Sequence, residues 1–144
     1  MTVTREATNK ALFRRFHEAM NTRDLATIAK TIDEVVAPDV LFHAPVPTGL
    51  SGREALLNVW QVLLRAFPDI HVEVEDLIAE GDKVVSRNTV TGTHLGEYRG
   101  TPATGRTVSY NEMFIVRFEG DQVAELWGVV DVFGQLRQLG LVPA

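Results

Sequence analysis

"IHVEVEDLIAEGDKVVSRNTVTGTHLGEYRGTPATG", residues 70–105, decides the fold. Ile70, Val72 and Val74 alternate with His71, Glu73 and Glu75, the period-two pattern of a strand with one dry and one wet face. "AEGDK" supplies a glycine-containing hairpin turn into a second strand, Val84 to about Thr93. The last fourteen residues, 92–105, then carry four glycines. Their spacing is neither G-x-G-x-x-G nor G-K-[ST], so no nucleotide-phosphate fingerprint is met. Long antiparallel strands bend at glycines and bulges, and Gly92, Gly96 and Gly100 are expected to curve them into a cone while Pro102 and Gly105 shape a connecting loop.

Working outward, the chain is helical before this stretch and extended after it. Leu12, Phe16, Ala19 and Met20 fall at helical spacing over Arg5–Met20, with Thr4 available as a cap. A second helix runs from about Asp24 to Val35, and a short strand, Val40 to Ala44, follows Ala37-Pro38. Ser51 and Glu54 have the spacing of a capping box and open a third helix, whose Leu56, Val59, Trp60, Leu63 and Phe67 share a face and which Pro68 stops. Downstream, strands are expected over Thr107–Phe118 and Val123–Val130, then a short helix over Val132–Leu139 that ends at Gly140. Helices followed by hairpin-connected strands make a single α+β domain, with helices on one face of a curved antiparallel sheet.

Composition narrows the function. A chain of 144 residues with 45% apolar content can bury roughly two-thirds of its unfolded surface in one core. It has no cysteine, hence no disulfide, thiolate nucleophile or cysteine zinc site. A net charge of -5 without a basic run argues against a nucleic-acid partner. The N-terminus lacks a secretory h-region and no apolar run reaches membrane-spanning length, so the chain reads as soluble and cytoplasmic. Its four histidines show no metal-ligand spacing, and no G-x-S-x-G elbow is present.

The elements "PDVLFHAP", "GLSGREAL", "FPD", "GDKV", "GTHLGEYRGTPATGR" and "QLRQLG" together resemble the SnoaL-like polyketide cyclase family, also called ester cyclases, of the nuclear-transport-factor-two-like superfamily. The resemblance spans about Arg5 to Gly140. It implies a curved sheet wrapped around three N-terminal helices to form a conical pocket, a hydrophobic small-molecule substrate, a homodimer or homotetramer, and neither metal nor organic cofactor. It further implies ring closure by intramolecular aldol condensation, with an Asp on the last strand as acid/base. Anchored on "QLRQLG", that position holds Gly128.

The carboxylate must then come from elsewhere. Alternation in "SYNEMFIVRF" puts Glu112 on one face with Tyr110, Phe114, Val116 and Phe118; there it either faces a pocket with a raised pKa or pairs with a neighbour such as Arg87. Asp131 becomes a second candidate if a bulge at Gly128 turns it inward, and otherwise caps the terminal helix. His43, at a strand end, is a candidate proton shuttle, and with Tyr110 or Asn111 a donor to an enolate. Tyr110, Phe114, Trp60, Trp127, His94, Phe16 and Tyr98 are candidate substrate contacts, although core packing explains the aromatic ones equally well. Two rival functions stay open: epoxide hydrolysis, if Arg87, Glu112 and Asp131 converge, and simple binding of a hydrophobic small molecule.

Overall fold

The structure, a computed structural model, describes residues 3–143. Its elements are α1 (Arg5–Asn21), α2 (Leu25–Val35), β1 (Val36–His43), α3 (Gly52–Ala66), β2 (His71–Glu80), β3 (Lys83–Thr93), β4 (Thr107–Glu119), β5 (Gln122–Val130) and α4 (Val132–Gln138). Thr4 caps α1 by accepting from the Ala7 N–H at 3.1 Å, and Asp24 caps α2 through Thr27. Ser51 stands at the N-cap of α3 but makes no side-chain capping bond. That helix is instead tied down by Arg53, whose Nε donates to the Val36 carbonyl at 2.9 Å.

The five strands form one curved sheet in the order β1-β5-β4-β3-β2. Each hairpin-linked pair is antiparallel, whereas β1 joins β5 in parallel, so the sheet is mixed rather than wholly antiparallel. Hairpins impose antiparallel pairing, but β1 reaches the sheet through α3 and escapes that constraint. β1 also begins four residues before the expected Val40, because an edge strand tolerates Pro38 where the ladder is irregular between Val36 and Leu41.

Inward positions of the strands meet α1, α2 and α3 to form the core, in which Phe67, Met20, Ile28, Ile32 and Val84 are essentially sealed from water. The glycine-rich stretch does not bend a strand at Gly96. β3 stops at Thr93, and the chain docks on the end of α3, where the Leu95 and Gly96 N–H groups donate to the Ala66 carbonyl at 3.0 and 3.1 Å. A Cβ at Gly96 would lie 2.9 Å from the Arg65 carbonyl carbon, so this approach requires glycine.

Candidate active site

Helices α1 and α3, the inner face of the sheet and the loop between β3 and β4 enclose a cavity of about 340 Å³. Its walls are mostly apolar because α1 turns Phe13 and Phe16 toward it, α3 turns Leu56, Trp60 and Leu63, and the sheet adds Val90, Phe114 and Leu126. Such a space suits an apolar ligand oriented by a few polar groups.

Those polar groups come from inward positions of neighbouring strands. Asn88 on β3 stands opposite Glu112 on β4, and its Nδ2 donates to Glu112 Oε1 at 3.1 Å. The same amide nitrogen lies 3.3 Å from Ser86 Oγ and 3.5 Å from His17 Nε2. Asn88 Oδ1 is buried with no hydrogen-bond partner among the described residues. Removal from water pushes the Glu112 pKa up to about 7, and the Asn88 hydrogen bond only partly opposes this. Among the described residues Glu112 is the one carboxylate lining the cavity.

His17 reaches the cavity from α1. Its Nδ1 is 2.9 Å from the Phe13 carbonyl, which can only accept, so Nδ1 carries the proton and Nε2 presents a lone pair toward Asn88. Burial lowers the ring's pKa, which holds it neutral. On the neighbouring wall Tyr98 Oη donates to Gln135 Oε1 at 3.0 Å. Tyr110, two residues before Glu112 on the same face of β4, has its pKa raised first by burial and next by the Glu112 charge; it stays a phenol and keeps its proton to donate.

This geometry has relatives. The sequence profile of the SnoaL-like polyketide cyclases matches residues 10–139. The chain belongs to the SnoaL-like polyketide cyclase family. It is 32% identical over 131 residues to the aklanonic acid methyl ester cyclase DnrD of Streptomyces peucetius, covering 90% of this chain and 88% of the relative. Among solved structures, AclR of Streptomyces galilaeus, a candidate hydroxylase, superposes with a TM-score of 0.82 at 33% identity, covering 96% of this chain and 89% of AclR. IdmH of Streptomyces antibioticus, a candidate polyketide cyclase, gives a TM-score of 0.77 at 33% identity and coverages of 92% and 98%.

Within this cyclase fold, the expected site residues divide cleanly. Glu112, Tyr110, Phe114, Trp60, Phe16 and Tyr98 all line the cavity. Asp131 does not: the β4–β5 register runs unbroken past Gly128, so Asp131 points outward, where it is exposed and accepts from the Gly134 N–H at 2.9 Å as the N-cap of α4. The bulge that would have turned it inward is at Arg117/Phe118 instead. His43 is also outside, 2.8 Å from Glu125 and stacked on Trp127 at 5.3 Å between centroids, so neither ring reaches the cavity. His94 is wholly buried but sits inside the β3–β4 loop, its Nδ1 2.9 Å from Thr104 Oγ1, and does not line the cavity. Asn111 faces outward on β4, where its amide meets Thr89. Arg87 is exposed and bonded to Asp76 at 2.7 Å, so the Arg87, Glu112 and Asp131 set for epoxide hydrolysis does not converge. Among the described residues no cluster of three His, Asp or Glu side chains could hold a metal ion.

His17, Asn88, Arg99 and Gln135 belong to the site but were not singled out from the sequence. His17 follows Phe13 by four residues, on the same helical face. Ser86 and Asn88 occupy the inward parity of β3 between Val84 and Val90, which is where a polar residue needs an explanation.

Proposed function

We propose that this protein is a cofactor-independent cyclase that closes a ring in a hydrophobic polyketide-like substrate by an intramolecular aldol-type addition. One observation carries the reading: a carboxyl group, Glu112, lines a mostly apolar cavity with its pKa raised to about 7. At that value the carboxylate is present near neutral pH and is a better base than an ordinary exposed one. It removes a proton α to a carbonyl, and the Tyr110 phenol donates a hydrogen bond to the enolate oxygen. The enolate carbon attacks a ketone carbon of the same molecule, a C–C bond forms, and the new alkoxide takes the proton back from Glu112. The net change moves one proton from carbon to oxygen and consumes no water or oxidant. Asn88 holds the ionised carboxylate in place, and the aromatic walls fold the chain so that the two carbons meet.

The test is turnover of a polyketide methyl ester by wild type, Glu112→Gln and Tyr110→Phe. The reading expects kcat to fall at least ~10²-fold in the first and ~10-fold or more in the second. Full activity in Glu112→Gln refutes it, and binding without conversion by the wild type makes the protein a carrier instead.

A further inference from the structure

One charged group at the cavity has no part in the chemistry above. Arg99 lines the cavity from the β3–β4 loop, where it is exposed at the rim, and it is the one Lys or Arg among the lining residues described. It has no carboxylate within ion-pairing distance among the described residues; Arg14, Arg23, Arg106 and Arg137 share that property, but none of these four lines the cavity, and Arg15, Arg53, Arg65, Arg87 and Arg117 are all paired. Glu97, the acid closest in sequence, is turned away: its Oε1 accepts from the Gly100 N–H at 2.6 Å and its Oε2 lies 3.4 Å from Arg65.

The guanidinium is also held in position. Arg99 has a left-handed backbone, φ 51°, in a turn closed by reciprocal Tyr98 and Thr101 hydrogen bonds of 2.9 Å. A non-glycine residue pays for that conformation, which persists only where the surroundings impose it. The side chain lies over the Tyr98 ring at 5.2 Å, and Tyr98 is itself buried and tied to Gln135. The charge is felt within the cavity, since it draws the Tyr110 pKa down against the larger effects of burial and Glu112.

We propose that Arg99 is an anion subsite at the cavity rim and that the substrate carries a free carboxylate there, in addition to the ester and ketone groups of its reacting end. The proposal rests on the reading that this cavity holds the substrate. A guanidinium over an aromatic face binds a carboxylate through short, charge-assisted hydrogen bonds and gains nothing comparable from an ester. An anion held at the rim also keeps its charge apart from Glu112, so the uncharged, reacting end of the molecule is the one that approaches the base.

Calorimetric titration of the full chain at pH 8 with 2-naphthoate and with methyl 2-naphthoate tests this without any turnover. The acid is expected to bind about tenfold more tightly than the ester, less so in high salt. Arg99→Gln should bring the ratio close to one chiefly by weakening the acid, with an unfolding midpoint close to that of wild type showing that the fold survives, and Arg99→Lys should keep part of the preference. Equal binding of acid and ester by the wild type, an unchanged ratio in Arg99→Gln, or no binding of the acid at millimolar concentration overturns the proposal. Glu112→Gln is expected to retain the acid preference, so loss of the cyclase reading and loss of the anion subsite give different results.

Discussion

Phe114 and Gly128 are directly opposed across β4 and β5, and the Phe114 ring occupies the space in which a side chain on residue 128 would begin. A Cβ there would be 2.8 Å from Phe114 Cζ and nearer still to Cε1. Because Phe114 faces the cavity, position 128 faces it too. The family resemblance puts an acid/base Asp at this position, and here an aromatic ring has taken its place. The carboxylate is on the adjacent strand instead, two residues before Phe114. Gly128→Asp is therefore expected to destabilise the fold by about 1–3 kcal/mol through overpacking, without raising activity. Adding Phe114→Ala should recover part of that loss, as read by denaturant unfolding. A harmless Gly128→Asp would mean that the ring does not fill this space.

Glu112 links stability to pH in a direction opposite to that of most carboxylates. Its folded pKa of about 7 stands above the ordinary 4.5, so the folded state binds the proton more tightly than the unfolded state does. This contribution is fully present below about pH 4.5 and is lost as pH rises through about 7. At about 1.4 kcal/mol per pH unit the loss is at most ~3 kcal/mol. Glu112→Gln should remove that slope and be more stable than wild type at pH 8. Wild-type kcat/KM should rise over the same interval in which stability falls. Thermal unfolding and rate profiles from pH 4 to 9 check both, and parallel stability slopes in the two proteins would place Glu112 in water.

How far the sequence led is visible in these two residues. Period-two alternation in β4 was enough to put Tyr110, Glu112 and Phe114 on one inward face, because parity survives small errors in strand ends. Parity also placed Trp127 outward once the register was known, but aromatic character alone suggested a pocket. His43 illustrates the same limit: a strand end permits either face, and only the parallel pairing of β1 with β5 decides it. The parallel edge itself was hidden, since strand partners separated by a helix and three strands leave no local signal. Asn88 was legible in principle as a polar residue between buried valines, while its partner His17 required knowing how α1 is rotated about its axis.

Asp131 and His43 provide the contrasting case. The Asp131 carboxylate caps α4 and His43 makes an exposed pair with Glu125. Asp131→Ala should cost about 1 kcal/mol of stability, as loss of an N-cap does, and Asp131→Asn should cost less, with kcat nearly unchanged in both. His43→Ala should change stability by under ~1 kcal/mol and leave turnover intact. A hundredfold drop in kcat for Asp131→Asn at full stability would restore it as the base.

Asn88 bears on both the stability of the fold and the ionisation of Glu112, and the two effects are separable. Its Nδ2 favours the ionised form of Glu112, whereas its Oδ1 is buried without a described partner and so weakens the fold. Asn88→Leu removes both at similar volume. Its stability is then expected to fall by about 1–3 kcal/mol, because Glu112 Oε1 and the buried Ser86 Oγ both lose a donor and removal of the orphan acceptor offsets only part of that loss. The carboxylate, however, loses the interaction that opposes its burial, so its pKa should move further up and the rising limb of the rate profile should shift to higher pH. Asn88→Asp should shift that limb more, since a second acid beside Glu112 disfavours ionising both. Rate profiles of the three proteins, with unfolding curves at each pH, check this. A variant with lower kcat but an unmoved limb would mean that Asn88 shapes the cavity without tuning the base.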